Sequence, residues 1–201
     1  MRRLILSLVL VTVAACQKVG SGVEAITITR EIYPGFTCPG EARGVGSPPP
    51  DGTQIWCSLL LPNGTYVREG PSLSFYANGT IKDRGSYEHD QRQGPWVFYD
   101  PEGNKSAEGE FRINKEEGVW RFYYPNGDIR EEGPMLSGGR NGVWSYWSPN
   151  RIRNEGSWVA GERDGLWIEL DESGKPIRER EYRRGRLTNQ RELVDASGNG
   201  G

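Results

Sequence analysis

Apolar residues are distributed in three different ways along this chain. Leu4 to Val13 is a predominantly apolar stretch of ten residues, preceded by Arg2 and Arg3. Between Cys38 and Cys57, Gly40, Gly44, Gly46, Pro48, Pro49, Pro50 and Gly52 interrupt every run, so this stretch carries no helix or strand period. Beyond it, apolar and aromatic residues alternate with polar ones in short bursts, the period of half-buried β-strands. From Val119 to Tyr124, for instance, Trp120, Phe122 and Tyr124 share one face.

The bursts repeat. Gly94-Pro95-Trp96, Gly118-Val119-Trp120, Gly142-Val143-Trp144 and Gly165-Leu166-Trp167 are spaced 24, 24 and 23 residues apart, and Gly70-Pro71-Ser72 shares the frame. Each copy reads as a β-hairpin. In the third, Val119 to Tyr124 is the outgoing strand and Asp128 to Met135 the return. Pro125-Asn126-Gly127 turns between them: proline presets φ, and glycine takes the positive-φ bulge position. The cluster from Ser137 to Gly142 is then expected to lead into the next copy. A hairpin of this size cannot bury an aromatic face alone and must stack on its neighbours. Gly85, Gly109, Gly133 and Gly156 in the return strands are expected to make room for rings of adjacent strands. Trp120, in the central copy, is expected to be more buried than Trp167 near the end, where Glu169 is polar.

These residues resemble the MORN repeat variant, here written Gly-x-Trp-x-Phe-Tyr-x-Pro-Asn-Gly, most clearly at 94–103 and 118–127. The resemblance implies an all-β chain: an elongated single-layer antiparallel sheet of successive hairpins. It also implies binding or scaffolding rather than a defined chemistry. Many bacterial members carry the label of YwqK-like antitoxin components, which makes an antitoxin-like neutraliser of a partner toxin the alternative function. The Cys-containing head followed by repeats also resembles lipoproteins of myxobacterial-type genomes. Ser72 for Trp, Arg151 for Gly and the polar Glu169 depart from the pattern and are expected to mark edge copies.

The first segment reads as a targeting signal, with a positive start, a ten-residue apolar stretch and small residues before a cysteine. It is too short to span a bilayer as a mature helix. Val13-Ala14-Ala15-Cys16 resembles a bacterial lipobox, which implies lipidation of Cys16, palmitate included, as the membrane anchor. Gln17 rather than Asp follows, which points to the outer membrane of the cell envelope. Export implies an oxidising compartment, where Cys38 and Cys57 are expected to pair. The expected organisation is a signal peptide over 1–15, a tether and disulfide-stapled segment over 16–57, the repeat array over 58–187 and a disordered tail over 188–201.

Composition narrows function. The chain has 28 glycines in 201 residues, seven Trp and nine Tyr, and a net charge of −2. The core is therefore expected to be aromatic, and the charge balance argues against a nucleic-acid binder. The one histidine, His89, lies in a turn-like polar stretch and leaves nucleophilic catalysis without a base. No zinc-ligand spacing and no phosphate-loop motif occur, so neither enzyme activity nor a metal or cofactor is expected. Glu116-Glu117, Glu131-Glu132 and Asp171-Glu172 are read as exposed charges. Arg178, Arg180, Arg183, Arg184 and Arg186 are read as a solvated edge that blunts pairing. The candidate ligand contacts are Tyr99, Tyr123 and Trp147, three residues after successive tryptophans and facing away from the Trp stripe. They serve either as a ladder for a ligand or partner segment, or as packing for the second face of a thin sheet. The chain is expected to be monomeric.

Overall fold

The computed structural model describes residues 35–150 and 152–193. Cys16, the signal segment, Arg151 and the chain after residue 193 lie outside the described residues. Every regular element among the described residues is a β-strand, and all join one antiparallel sheet. Two head strands come first, β1 (Arg43–Ser47) and β2 (Gln54–Leu60). The array follows as β3 (Tyr66–Phe75), β4 (Ile81–Glu88), β5 (Gln91–Tyr99), β6 (Lys105–Arg112), β7 (Lys115–Tyr123) and β8 (Ile129–Leu136). It continues through the short β9 (Gly139–Arg140), β10 (Gly142–Trp147), β11 (Arg153–Val159), β12 (Glu162–Leu170), β13 (Pro176–Arg183) and β14 (Arg186–Glu192). Strands neighbour one another in chain order from β1 to β14, with β9 pairing only β8, so the sheet is open at both ends.

Two kinds of turn alternate. At the ends of β2, β3, β5, β7 and β12 the turn read from Pro-Asn-Gly forms. Gly127 has φ +88°, its N–H donates to Tyr124 O at 2.9 Å, and the Tyr124 N–H donates to Asp128 O at 2.8 Å. Asn63-Gly64 and Asn78-Gly79 turn the same way, each Asn side chain accepting from the N–H of Thr65 or Thr80 at 3.0 Å. The connections between copies are tighter than the Ser137–Gly142 cluster suggests. Only Ser137 and Gly138 turn, with φ +53° and +87°, and Gly139–Arg140 already pairs with β8. His89-Asp90, Ile113-Asn114, Ala160-Gly161 and Arg184-Gly185 make equivalent two-residue turns with both φ positive. Such turns match the twist of paired strands.

Trp96, Trp120, Trp144 and Trp167 stand on one face and are sealed, at 1%, 3%, 0% and 4% exposure. Each indole lies over a glycine of the preceding return strand. A Cβ on Gly109 would stand 2.3 Å from Cδ2 and Cε2 of Trp120, and Gly85, Gly133 and Gly156 meet Trp96, Trp144 and Trp167 in the same way. The pairing of β6 with β7 jumps from Glu108↔Arg121 to Glu110↔Glu117, so Gly109 faces a bulge that brings Trp120 over it. The indole N–H then donates to Glu110 O at 3.1 Å. The other three tryptophans repeat that bond, to Ser86, Pro134 and Ser157 carbonyls. The rings stack without a break: Trp96, Phe98, Trp120, Phe122, Trp144, Tyr146 and Trp167, with successive centroids 5.6 to 6.3 Å apart.

Several expectations are corrected by these contacts. Trp167 is as sealed as Trp120, because β13 and β14 continue the sheet beyond it and Tyr182 packs on it edge-on. Ser72 and Glu169 are not at sheet edges. Ser72 pairs with Trp56 of β2, and Glu169 accepts from Arg178 at 2.9 Å and lies 3.1 Å from Arg180. The arginines of β13 are thus held within a paired strand instead of blunting an edge, and β14 reaches past residue 187 to Glu192. Glu131 is not an exposed charge. Its side chain is 12% exposed and binds Arg140 at 2.6 Å and Arg130 at 3.0 Å.

The head differs from the reading as an unpatterned loop. β1 forms within it because Val45 and its neighbours pair with β2. Gly46, at φ +93°, lets the strands close, since a Cβ there would stand 2.1 Å from Gln54 O. Cys38 and Cys57 are bonded as expected, with sulfurs 2.02 Å apart. The bridge fastens the segment before β1 across the sheet face that carries Ile55 and Cys57, both fully buried.

Candidate functional site

The sheet face opposite the tryptophans is the candidate site. Pro95, Val119, Val143 and Leu166 each precede a tryptophan and therefore point to this face. Val119, Val143 and Leu166 are half or more exposed. One residue row further, register pairs Val97 with Glu108, Glu108 with Arg121, Arg121 with Glu132 and Glu132 with Ser145. Ser145 then pairs with Glu155, and Ile168 joins Glu155 to Glu179. A carboxylate therefore recurs once per copy, about 10 Å apart at two strand spacings, beside a row of exposed apolar side chains.

The three sequence-predicted aromatics fall on this face with different surroundings. Tyr123 is engaged: its hydroxyl donates to Glu108 and Lys105 Nζ lies 4.4 Å from its ring centre. That bond, and then the Lys105 ammonium 3.1 Å away, hold the Glu108 carboxyl below its ordinary pKa. Burial, and then the hydrogen bond to Glu108, push the Tyr123 hydroxyl up. The bond to Glu108 raises Lys105. Tyr99 lies beneath Arg84, 5.8 Å from its guanidinium. Trp147 is half-buried and, among the described residues, stacks on no ring and under no cation. Tyr123 is therefore held by side-chain contacts, whereas Trp147 has neither a stacked ring nor a cation over it among the described residues.

At the head end, Gly35, Phe36 and Thr37 border a groove of about 550 Å³ with Pro71, Leu73, Arg84, Pro95 and Val97. Among the described residues no group of three His, Cys, Asp or Glu side chains is arranged to hold a metal ion. His89 sits in a two-residue turn, its N–H donating to Glu69 at 2.9 Å and its ring 3.5 Å from the same carboxylate. Asp171 accepts from the N–H groups of Ser173 and Lys175 and closes a turn, as read from the sequence.

Sequence reasoning missed a second set of residues, on the Trp face. Arg92, Arg140 and Arg163 each stand four residues before a tryptophan, with guanidinium carbons 4.6, 4.2 and 4.4 Å from the indole centres. The spacing was visible in the chain, but nothing in it says that a strand begins so early that these side chains cover the rings.

No curated protein matches the chain. The model of the MORN repeat variant matches residues 68–89, 116–136 and 163–184, which correspond to the hairpins β3–β4, β7–β8 and β12–β13. Between them lie β5–β6 and β9–β11, built on the same frame with Trp96 and Trp144 in place. MORN repeats are in general binding or scaffolding modules without catalytic chemistry. Three segments of the chain are thus similar to the MORN repeat variant, and they join with the copies between them into one open β-sheet.

Proposed function

We propose that this protein is a membrane-anchored lipoprotein whose repeat sheet binds a protein or cell-envelope component and does not catalyse a reaction. The observation that carries the binding reading is the face opposite the tryptophans. Val119, Val143 and Leu166 stay exposed at one repeat spacing, beside the recurring carboxylates and Trp147. A linear array of like side chains suits an extended partner that makes the same contact several times. The anchor rests on the Val13-Ala14-Ala15-Cys16 pattern and its apolar leader.

The two halves of the proposal separate experimentally. Cys16→Ser is expected to abolish lipidation and shift the protein out of the membrane fraction. Unchanged fractionation, with no lipid on the mature N-terminus, removes the anchor. A pull-down with the array is expected to retain a partner that Val143→Lys with Leu166→Lys no longer holds, while the melting temperature stays near that of the parent. Retention that is indifferent to both substitutions removes this face as the binding surface.

A further inference from the structure

We propose that the third copy of the array is a seat for an arginine guanidinium donated by a partner protein. The inference rests on the binding reading above and names the chemistry of one contact within it.

The molecule supplies the template. In four of five copies an arginine occupies the position four residues before the Trp frame position: Arg68, Arg92, Arg140 and Arg163. Its guanidinium lies against an aromatic residue of the return strand in the same copy. Arg68 stands 4.0 Å from the ring centre of Tyr87, Arg92 5.2 Å from Phe111, Arg140 5.3 Å from Trp158 and Arg163 5.3 Å from Tyr182. Each copy so built carries its own cation at this position. The third does not, and its cation on the Trp face is Arg130 of the return strand, 5.9 Å from the centre of Phe122. Glu116 stands at the arginine position and Met135 at the return-strand ring position. Both members of the cation–ring pair change together, and the charge is inverted.

Glu116 is half-buried, and among the described residues its carboxylate has no hydrogen bond or ion pair. The neighbouring Glu117 is already used, accepting the Ser137 N–H at 3.1 Å. One repeat away on either side, Arg92 lies over Trp96 and Phe111, while Arg140 is bound to Glu131 at 2.6 Å. Neither reaches Glu116. Trp120 is sealed without an arginine, at 3% exposure. An incoming cation therefore meets the Glu116 carboxylate and the polarisable Met135 side chain, not the indole face. A planar guanidinium fits this pair better than an ammonium does. It bonds a carboxylate through two parallel N–H groups and lays its weakly hydrated face on the thioether. Exposed Ile113 and Leu136 at the adjoining turns give the rest of a donor segment an apolar rim.

The test uses the full-length protein with methyl-labelled methionine, since Met135 is the sole methionine of the array. A blocked Gly-Gly-Arg-Gly-Gly peptide is the probe, with the lysine peptide and choline beside it. The arginine peptide is expected to shift the Met135 methyl signal saturably and more tightly than either of the others. Glu116→Gln should weaken it roughly threefold to tenfold, the scale of one lost charge-assisted pair. Glu116→Arg should remove the shift and raise the melting temperature by filling the seat from within. Equal binding to parent, Glu116→Gln and Glu116→Arg overturns the seat, as does a lysine peptide or choline that binds as well as arginine. A lower melting temperature for Glu116→Arg overturns the template argument. Failure of the array to retain any partner in the pull-down counts against the binding reading instead, whichever way Glu116 behaves.

Discussion

Replacing Gly109 by alanine sets two physical expectations against each other. Gly109 lies in a strand with no positive φ. On backbone grounds alone alanine should therefore stabilise by about 0.4–1 kcal/mol through the unfolded chain. The packing predicts the opposite sign. Carbon atoms rest about 3.5–4.0 Å apart, whereas the new Cβ would sit 2.3 Å from the fused bond of Trp120. The indole cannot slide aside. Phe98 and Phe122 flank it at 6.0 Å, and its N–H is bonded to Glu110 O. The overlap belongs at the upper end of overpacking costs, about 3 kcal/mol, or a fall in melting temperature of roughly 6–12 °C for a domain of this size. Thermal unfolding followed by far-UV circular dichroism reads this directly. Gly109→Ala should become neutral or mildly stabilising in a Trp120→Ala background, because the atom it strikes is gone. A single Gly109→Ala variant that melts higher than the parent refutes the stacking of Trp120 on this glycine. So do additive effects in the double variant.

Further outcomes can be measured in the same protein. Trp120→Ala and Trp167→Ala should each cost about 3–5 kcal/mol, since both rings are equally sealed; a clearly smaller loss at Trp167 in denaturant titrations would mean that the last copies fray. Replacing Cys38 and Cys57 together by serine should remove roughly 3 kcal/mol, the scale for closing a loop of this length with its separation of 19 residues; an unchanged unfolding midpoint under non-reducing conditions contradicts this. Glu108 has a depressed pKa, so its bond with Tyr123 contributes stability above the ordinary glutamate value of 4.5 that is lost as pH falls below it. Glu108→Gln should flatten that acid limb, and an identical pH profile for parent and variant removes the assignment.

The hairpin period, the Pro-Asn-Gly turns, the glycine floors under rings and the disulfide were all legible in the chain, because each depends on local backbone chemistry or on spacing. The rest depends on register. β1 escaped notice since its glycines and Val45 have no strand period of their own and pair only because β2 lies alongside. Glu169 looks like a defect until β13 brings Arg178 and Arg180 onto it. The turn at Ile113 is the hardest case. A β-branched residue at φ +53° is a poor choice for that conformation. Its N–H is held by Gln93 at 3.1 Å, and Asn114 accepts from the Arg92 N–H at 2.7 Å. Both anchors come from the preceding tight-turn end of β5, some twenty residues earlier. The candidate aromatics were placed on the correct face, but only contacts could show that Tyr123 is engaged and Trp147 is not.

Because each copy lends its glycine to the tryptophan of the next, the joint between any two copies is the same joint. Excising 94–117 would bring Gln93 directly to Gly118 and lay Trp120 on Gly85, the floor that Trp96 leaves. Removing half that length would instead splice an outgoing strand to a returning one and strand an indole with no floor. Such a chain can lengthen or shorten by whole modules, about 10 Å of sheet at a time, without renegotiating its core. The length of the sheet thereby becomes a quantity that duplication and deletion can adjust in discrete steps, while the fold of every remaining module is inherited intact.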